Sequence, residues 1–117
     1  MCGAFLGAAR CRMPAVIDGF ISVVAALCAA RLCPDAAGYL FPSHVSYEKG
    51  YLLAAGELGL DPWLQLGMRL GEGSGCPLAF SVISAACAVM NGMATFEQAS
   101  INDGYLDEIR EKDSFSV

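Results

Sequence analysis

The chain has 117 residues, enough to bury one modest core, and its length asks for no second domain. Hydrophobic residues make up 56% and charged ones 16%, which excludes a disordered chain and implies more apolar surface than a small monomer hides, and so a partner surface. The net charge is −5 and the seven Lys and Arg are scattered rather than gathered into a stripe, which argues against nucleic acid as that partner.

Residues 2–10 read as a helix with a polar exit from Arg10 to Met13. Pro14-Ala15-Val16-Ile17 is a short apolar run without polar alternation, the pattern of a strand buried on both faces. From Gly19 or Phe20 to about Leu32 the chain is rich in Ala and Leu and stops at Cys33-Pro34, which predicts a helix. Strand, Asp-Gly turn and helix together make half of a βαβ unit. Tyr39-Leu40-Phe41 is a second short strand, followed by the turn Pro42-Ser43-His44-Val45-Ser46. The next helix is predicted over residues 47–58, with Tyr51, Leu52, Ala55 and Leu58 on its apolar face and Gly59 closing it. Asp61-Pro62 favours a turn or a short helix reaching Leu66. A glycine-rich loop follows, then a long helix from about Cys76 to Met90, and after Phe96 a polar tail.

The six cysteines lie in Ala-rich apolar segments with no secreted, short-loop pattern around them, so they read as reduced core thiols of a cytoplasmic protein. No CxxC pair is present and His44 is the only histidine, which leaves no metal site to assemble. The N-terminus lacks the basic region of a secretory signal. Of two segments that imitate membrane spans, residues 20–30 are too short, and residues 77–96 are rich in small and polar side chains that suit a buried helix.

Three places are candidates for chemistry. The run Gly67-Met68-Arg69-Leu70-Gly71-Glu72-Gly73-Ser74-Gly75 sets one carboxylate among glycines, so that Glu72 is either a general base or a solvated acid near the positive end of the next helix. Spacing alone favours the solvated acid. Asp18-Gly19-Phe20-Ile21-Ser22 lies where a buried strand turns into a helix, a position where ligands collect and where free amides can hold a phosphate. Asp18 acting only as an N-cap explains the same residues equally well. In Ser43-His44-Val45-Ser46 the hydroxyl of Ser46 leans toward ligand contact, whereas His44 reads as part of a turn held by local hydrogen bonds. Cys76 lacks a basic partner and reads as a packing thiol.

Taken in order, Val16-Ile17-Asp18-Gly19-Phe20-Ile21-Ser22, Ala25-Ala26-Leu27, Pro42-Ser43-His44, Glu48-Lys49-Gly50 and Met68-Arg69-Leu70-Gly71-Glu72-Gly73-Ser74-Gly75 resemble the C-terminal part of the nicotinate-nucleotide:dimethylbenzimidazole phosphoribosyltransferase family. The likeness runs from about residue 3 to residue 96 and is most specific at Arg-Leu-Gly-Glu-Gly-Ser-Gly. It implies an α/β fold: the C-terminal portion of a Rossmann-like parallel-sheet domain, helix-rich, with two short parallel strands, over residues 1–96, and a polar tail over residues 97–117. It implies transfer of phosphoribose from nicotinate mononucleotide to 5,6-dimethylbenzimidazole, with no metal or redox cofactor, in a homodimer away from membranes. Glu72 would be the general base and Leu70 would border the benzimidazole. Asp18, Gly19, Phe20, Ile21, Ser22 and Ser46 would surround the phosphoribosyl group.

Family chains are about three times this length, and Cys76 stands where a small, alanine-like residue is more usual. The resemblance therefore implies a fragment that carries the base but is not expected to turn over by itself. The competing expectation is a remnant that works as an oligomerisation or interaction module.

Overall fold

The computed structural model describes residues 1–101 and Gly104. Its elements are α1 (Cys2–Arg10), β1 (Ala15–Ile17), α2 (Phe20–Leu32), a 3₁₀ turn (Pro34–Tyr39), β2 (Leu40–Pro42), α3 (Lys49–Glu57) and α4 (Cys76–Gly92). The chain divides into two compact units, Met1–Ser84 and Ala85–Val117. Among the described residues no helix is long and apolar enough to cross a membrane.

In the first unit β1 and β2 pair in parallel, with Ala15 opposite Leu40, Val16 opposite Phe41 and Ile17 opposite Pro42. Parallel strands cannot be joined by a hairpin, and α2 with the 3₁₀ turn supplies the crossover, completing the βαβ unit. The core gathers Phe5 of α1, Ile17 of β1, Val23, Ala26 and Ala29 of α2, Leu40 of β2, and Tyr51, Ala54 and Ala55 of α3. Small residues at three-residue spacing on α2 let its neighbours approach closely, while Ile21 and Leu32 on its other side stay exposed.

Four expectations are corrected. Strand β1 is fully buried only at Ile17, because Val16 borders an open cleft. Helix α3 starts at Lys49 rather than Tyr47, since the Ser46 hydroxyl accepts the Glu48 N–H at 3.4 Å and holds that stretch in a turn. Its buried face is Tyr51, Ala54 and Ala55, with Leu52 outside it. Residues 61–66 form no helix: Leu64 instead bridges His44 in parallel, with Val45 N–H donating to Leu64 O at 2.9 Å.

Helix α3 closes as its punctuation predicts. Gly59 takes φ +66°, Leu60 N–H reaches back to Ala55 O at 2.9 Å and Gly59 N–H to Gly56 O at 3.0 Å, the paired bonds of a Schellman motif. All six cysteines are free, but Cys11, Cys28, Cys33 and Cys87 are exposed, so they are not core thiols. Ala-rich helices bury only one side here: Cys28 and Cys87 fall on exposed sides of α2 and α4, while Cys11 and Cys33 lie just past the ends of α1 and α2.

Among the described residues, the second unit takes in the remainder of α4 and one hydrogen-bonded turn beyond it. Thr95 Oγ accepts the Gln98 N–H at 3.2 Å while the Gln98 side-chain oxygen accepts the Thr95 N–H at 3.0 Å, a reciprocal capping box. The polar tail lies largely outside the described residues.

Candidate active site

The ladder of β1 and β2 continues past the strands, because Ser43 N–H donates to Ile17 O at 3.0 Å. Asp18 and His44, each the next residue along, therefore emerge together at the carboxyl ends of the two strands. The carboxylate of Asp18 is 6% exposed and turns to the glycine loop, with Oδ2 accepting the Gly73 N–H at 3.0 Å and Oδ1 accepting the Gly75 N–H at 2.8 Å. It makes no capping bond to α2, whose N-cap is Gly19. Charge-assisted bonds of this kind are worth about 1.5–3 kcal/mol each. That is enough to hold a loop whose residues Glu72 and Gly73 both adopt positive φ, +62° and +83°. For Glu72 the left-handed conformation costs about 1–2 kcal/mol.

Glu72 is exposed and lines a cleft of about 450 Å³ with Asp18, Gly19, Phe20, Ile21 and Ser22. The loop and the strand-to-helix turn, far apart in sequence, thus face one space. Ser22 holds the turn in shape: its hydroxyl accepts the Asp18 N–H at 3.0 Å and donates to Gly19 O at 2.8 Å. The first free amide of α2, Phe20 N–H, donates to Glu48 Oε2 at 3.2 Å, and the Phe20 ring covers Gly50. Glu48 also lines the cleft. Sequence reading misses it, because a carboxylate just before one helix gives no sign that it caps another.

Ser46 and Leu70 are not among the residues that line this cleft. Ser46 meets its edge at Glu48, whose Oε2 accepts from its hydroxyl at 3.4 Å, and at Gly19, where a Cβ would stand 4.0 Å from that hydroxyl; it also borders a neighbouring cleft of about 670 Å³ with Tyr47, Asp61, Gln65 and Met68. Arg69 stacks over the Tyr47 ring at 4.5 Å and ties the loop to that side. Leu70 is 63% exposed.

His44 is 1% exposed, and its ring meets both the adjacent Ser43 and the distant Asp18. Its Nδ1 lies 3.2 Å from Ser43 Oγ and 3.5 Å from Asp18 Oδ1, an ion pair whenever the ring is protonated. Cys76 donates to Val16 O at 3.8 Å, and burial, then the Asp18 charge, push its thiol pKa up, the direction of an inert thiol. Tyr51 is fully buried, and among the described residues its hydroxyl has no partner. Its pKa is pushed up to about 12 by burial first and then by the charges of Asp18 and Cys76.

Because the folded phenol keeps its proton longer than the unfolded one, stability present below pH 10 is lost as the pH rises toward 12. Tyr51→Phe removes both the unsatisfied hydroxyl and this dependence. The variant is expected to gain about 1 kcal/mol in urea unfolding at neutral pH, and more than the parent retains above pH 10. A loss at neutral pH would show that the hydroxyl is satisfied after all.

Comparison with known proteins identifies the family. A family model described as Phosphoribosyltransferase (DBI_PRT) matches residues 1–101. The nicotinate-nucleotide–dimethylbenzimidazole phosphoribosyltransferase of Clostridium perfringens is 60% identical over 117 residues, all of this chain and 32% of the relative. Its counterpart in Escherichia coli is 50% identical over 99 residues, 85% of this chain and 28% of the relative. The crystal structure of the enzyme of that name from Thermus thermophilus superposes with a TM-score of 0.81 at 37% identity, covering 86% of this chain and 30% of that one. The chain thus spans about a third of the length of the curated relatives it matches. With an α/β fold shared with these proteins and a family match over residues 1–101, the chain belongs to the phosphoribosyltransferase family.

Proposed function

We propose that this chain is the base-bearing portion of an enzyme that transfers phosphoribose from nicotinate mononucleotide to 5,6-dimethylbenzimidazole, giving α-ribazole 5′-phosphate and nicotinate. The observation that carries the reading is the single cleft in which Glu72 faces the turn at residues 18–22. The names of the relatives support the choice of substrates.

In this reading one benzimidazole nitrogen attacks the anomeric carbon while the carboxylate of Glu72 takes the proton from the other. The bond to nicotinate breaks, its electron pair returns to the positively charged pyridine nitrogen, and the ring leaves without needing an acid. Attack on the face opposite the leaving group converts the β-linked substrate to the α product. Gly19, Phe20, Ile21 and Ser22 flank the phosphoribosyl group, with Ser46 beyond Glu48, and Leu70 borders the base. Residues 1–96 then form one portion of an α/β domain and residues 97–117 a polar tail. A homodimer in the cytoplasm fits the same reading.

A hybrid enzyme tests it, with residues 1–117 in place of the matching stretch of the Clostridium perfringens relative. The hybrid is expected to form α-ribazole 5′-phosphate, detected by chromatography, while the 117-residue chain alone forms none. A folded but inactive hybrid beside an active parent rejects the reading.

A further inference from the structure

We propose that Asp18 is a positioning residue for Glu72: its buried carboxylate grips the N–H groups of Gly73 and Gly75 and so holds Glu72 in its left-handed conformation at the edge of the cleft. This rests on the reading of Glu72 as the base. It gives Asp18 a task other than contact with substrate, the task the family resemblance suggests.

Three observations carry it. Both carboxylate oxygens are spent on the loop, Oδ2 on Gly73 N–H at 3.0 Å and Oδ1 on Gly75 N–H at 2.8 Å, the two amides that follow Glu72 at one and three residues. The aspartate is itself fixed, since its own N–H donates to Ser22 Oγ at 3.0 Å and His44 Nδ1 stands 3.5 Å from Oδ1. Glu72, at φ +62°, occupies a left-handed conformation that is strained for a residue with a Cβ, a cost that the two bonds to its neighbours offset. An acid fixed by the β1-to-α2 turn thus sets the direction in which a second acid enters the cleft. A proton acceptor works only within hydrogen-bond reach of its donor, so a slack loop lowers turnover without weakening substrate binding.

Kinetics of the hybrid enzyme separate the possibilities. Asp18→Asn keeps the shape but turns an NH₂ group toward one of the two amides. It is expected to lower kcat by about 30-fold, as for a catalytic group displaced by a fraction of an ångström, with KM for both substrates held within about threefold. In the Glu72→Gln background the same change is expected to cost less than about threefold more, because the group it positions no longer accepts a proton. A tenfold rise in KM at constant kcat, or an equal loss in both backgrounds, overturns this proposal alone. An unchanged rate in Glu72→Gln by itself overturns the base reading and this proposal together. Amide hydrogen exchange in the unaltered protein needs no variant: Gly73 and Gly75 are expected to exchange slowly, and fast exchange at both overturns the clamp.

Discussion

Gly75→Ala is expected to lower the stability of the protein by about 3 kcal/mol or more, the upper range for an overpacked, buried position, and to abolish activity in the hybrid enzyme. A Cβ at Gly75 would stand 2.2 Å from His44 Nδ1, 2.9 Å from Asp18 Oδ1 and 3.0 Å from Ser43 Oγ. None of these neighbours is the free end of a flexible chain. His44 and Ser43 are fully buried, and their backbone is held by the bonds to Leu64 and Ile17. Asp18 cannot retreat without releasing the Gly75 N–H itself. The glycine cannot move away either, because its carbonyl accepts the Ala79 N–H at 3.1 Å and starts α4. Relief must therefore come from breaking the Asp18 clamp, which adds the loss of a charge-assisted bond to the clash.

Gly56→Ala is the matching control, since nothing lies within 4 Å of a Cβ there and the residue sits inside α3. It is expected to leave stability unchanged or raise it by up to about 1 kcal/mol through helix propensity. Urea unfolding followed by circular dichroism reads both variants. Equal midpoints for Gly75→Ala and the parent would mean that the clamp is absent in solution.

What the sequence makes legible here is what short-range chemistry determines. Pro14 and Asp18-Gly19 bracket β1, Cys33-Pro34 ends α2, and Gly59 ends α3, because each of these residues restricts or frees its own backbone. Pro34 reads in sequence only as a stop, although proline equally suits the first position of a tight helix, and residues Pro34–Tyr39 use it so. The site is legible in its membership and not in its wiring. Glu72 and residues 18–22 are recognisable as a set only through family order and spacing. The bonds that join them span 55 and 57 residues, and the bond from Phe20 to Glu48 spans 28. An aspartate before a helix is compatible with a cap and with a clamp alike, and the difference lies in where a distant glycine loop returns. His44 shows the same limit: the β1–β2 ladder continued by Ser43 N–H to Ile17 O, which involves backbone groups and leaves no side-chain pattern, carries it beside Asp18.

Glu72→Gln in the hybrid enzyme is expected to lower kcat by about a hundredfold or more while KM for both substrates changes little. Glutamine matches the volume of glutamate and meets the same backbone restriction at φ +62°, so the loop has no reason to rearrange. What it lacks is the ability to take a proton. The benzimidazole would then have to lose its N–H proton to water within the cleft, after the anomeric bond had begun to form. Glu72→Gly separates the chemistry from the backbone. Removing the Cβ relieves about 1–2 kcal/mol of left-handed strain and gives back part of it as added freedom in the unfolded chain. The glycine variant is therefore expected to be as stable as the parent or up to about 1 kcal/mol more so, yet as slow as Glu72→Gln or slower. A strained acid whose removal steadies the protein and stops its turnover is retained for function, since nothing in the fold depends on it. Full activity in Glu72→Gln would transfer the proton to another group and leave the strain at Glu72 without a purpose.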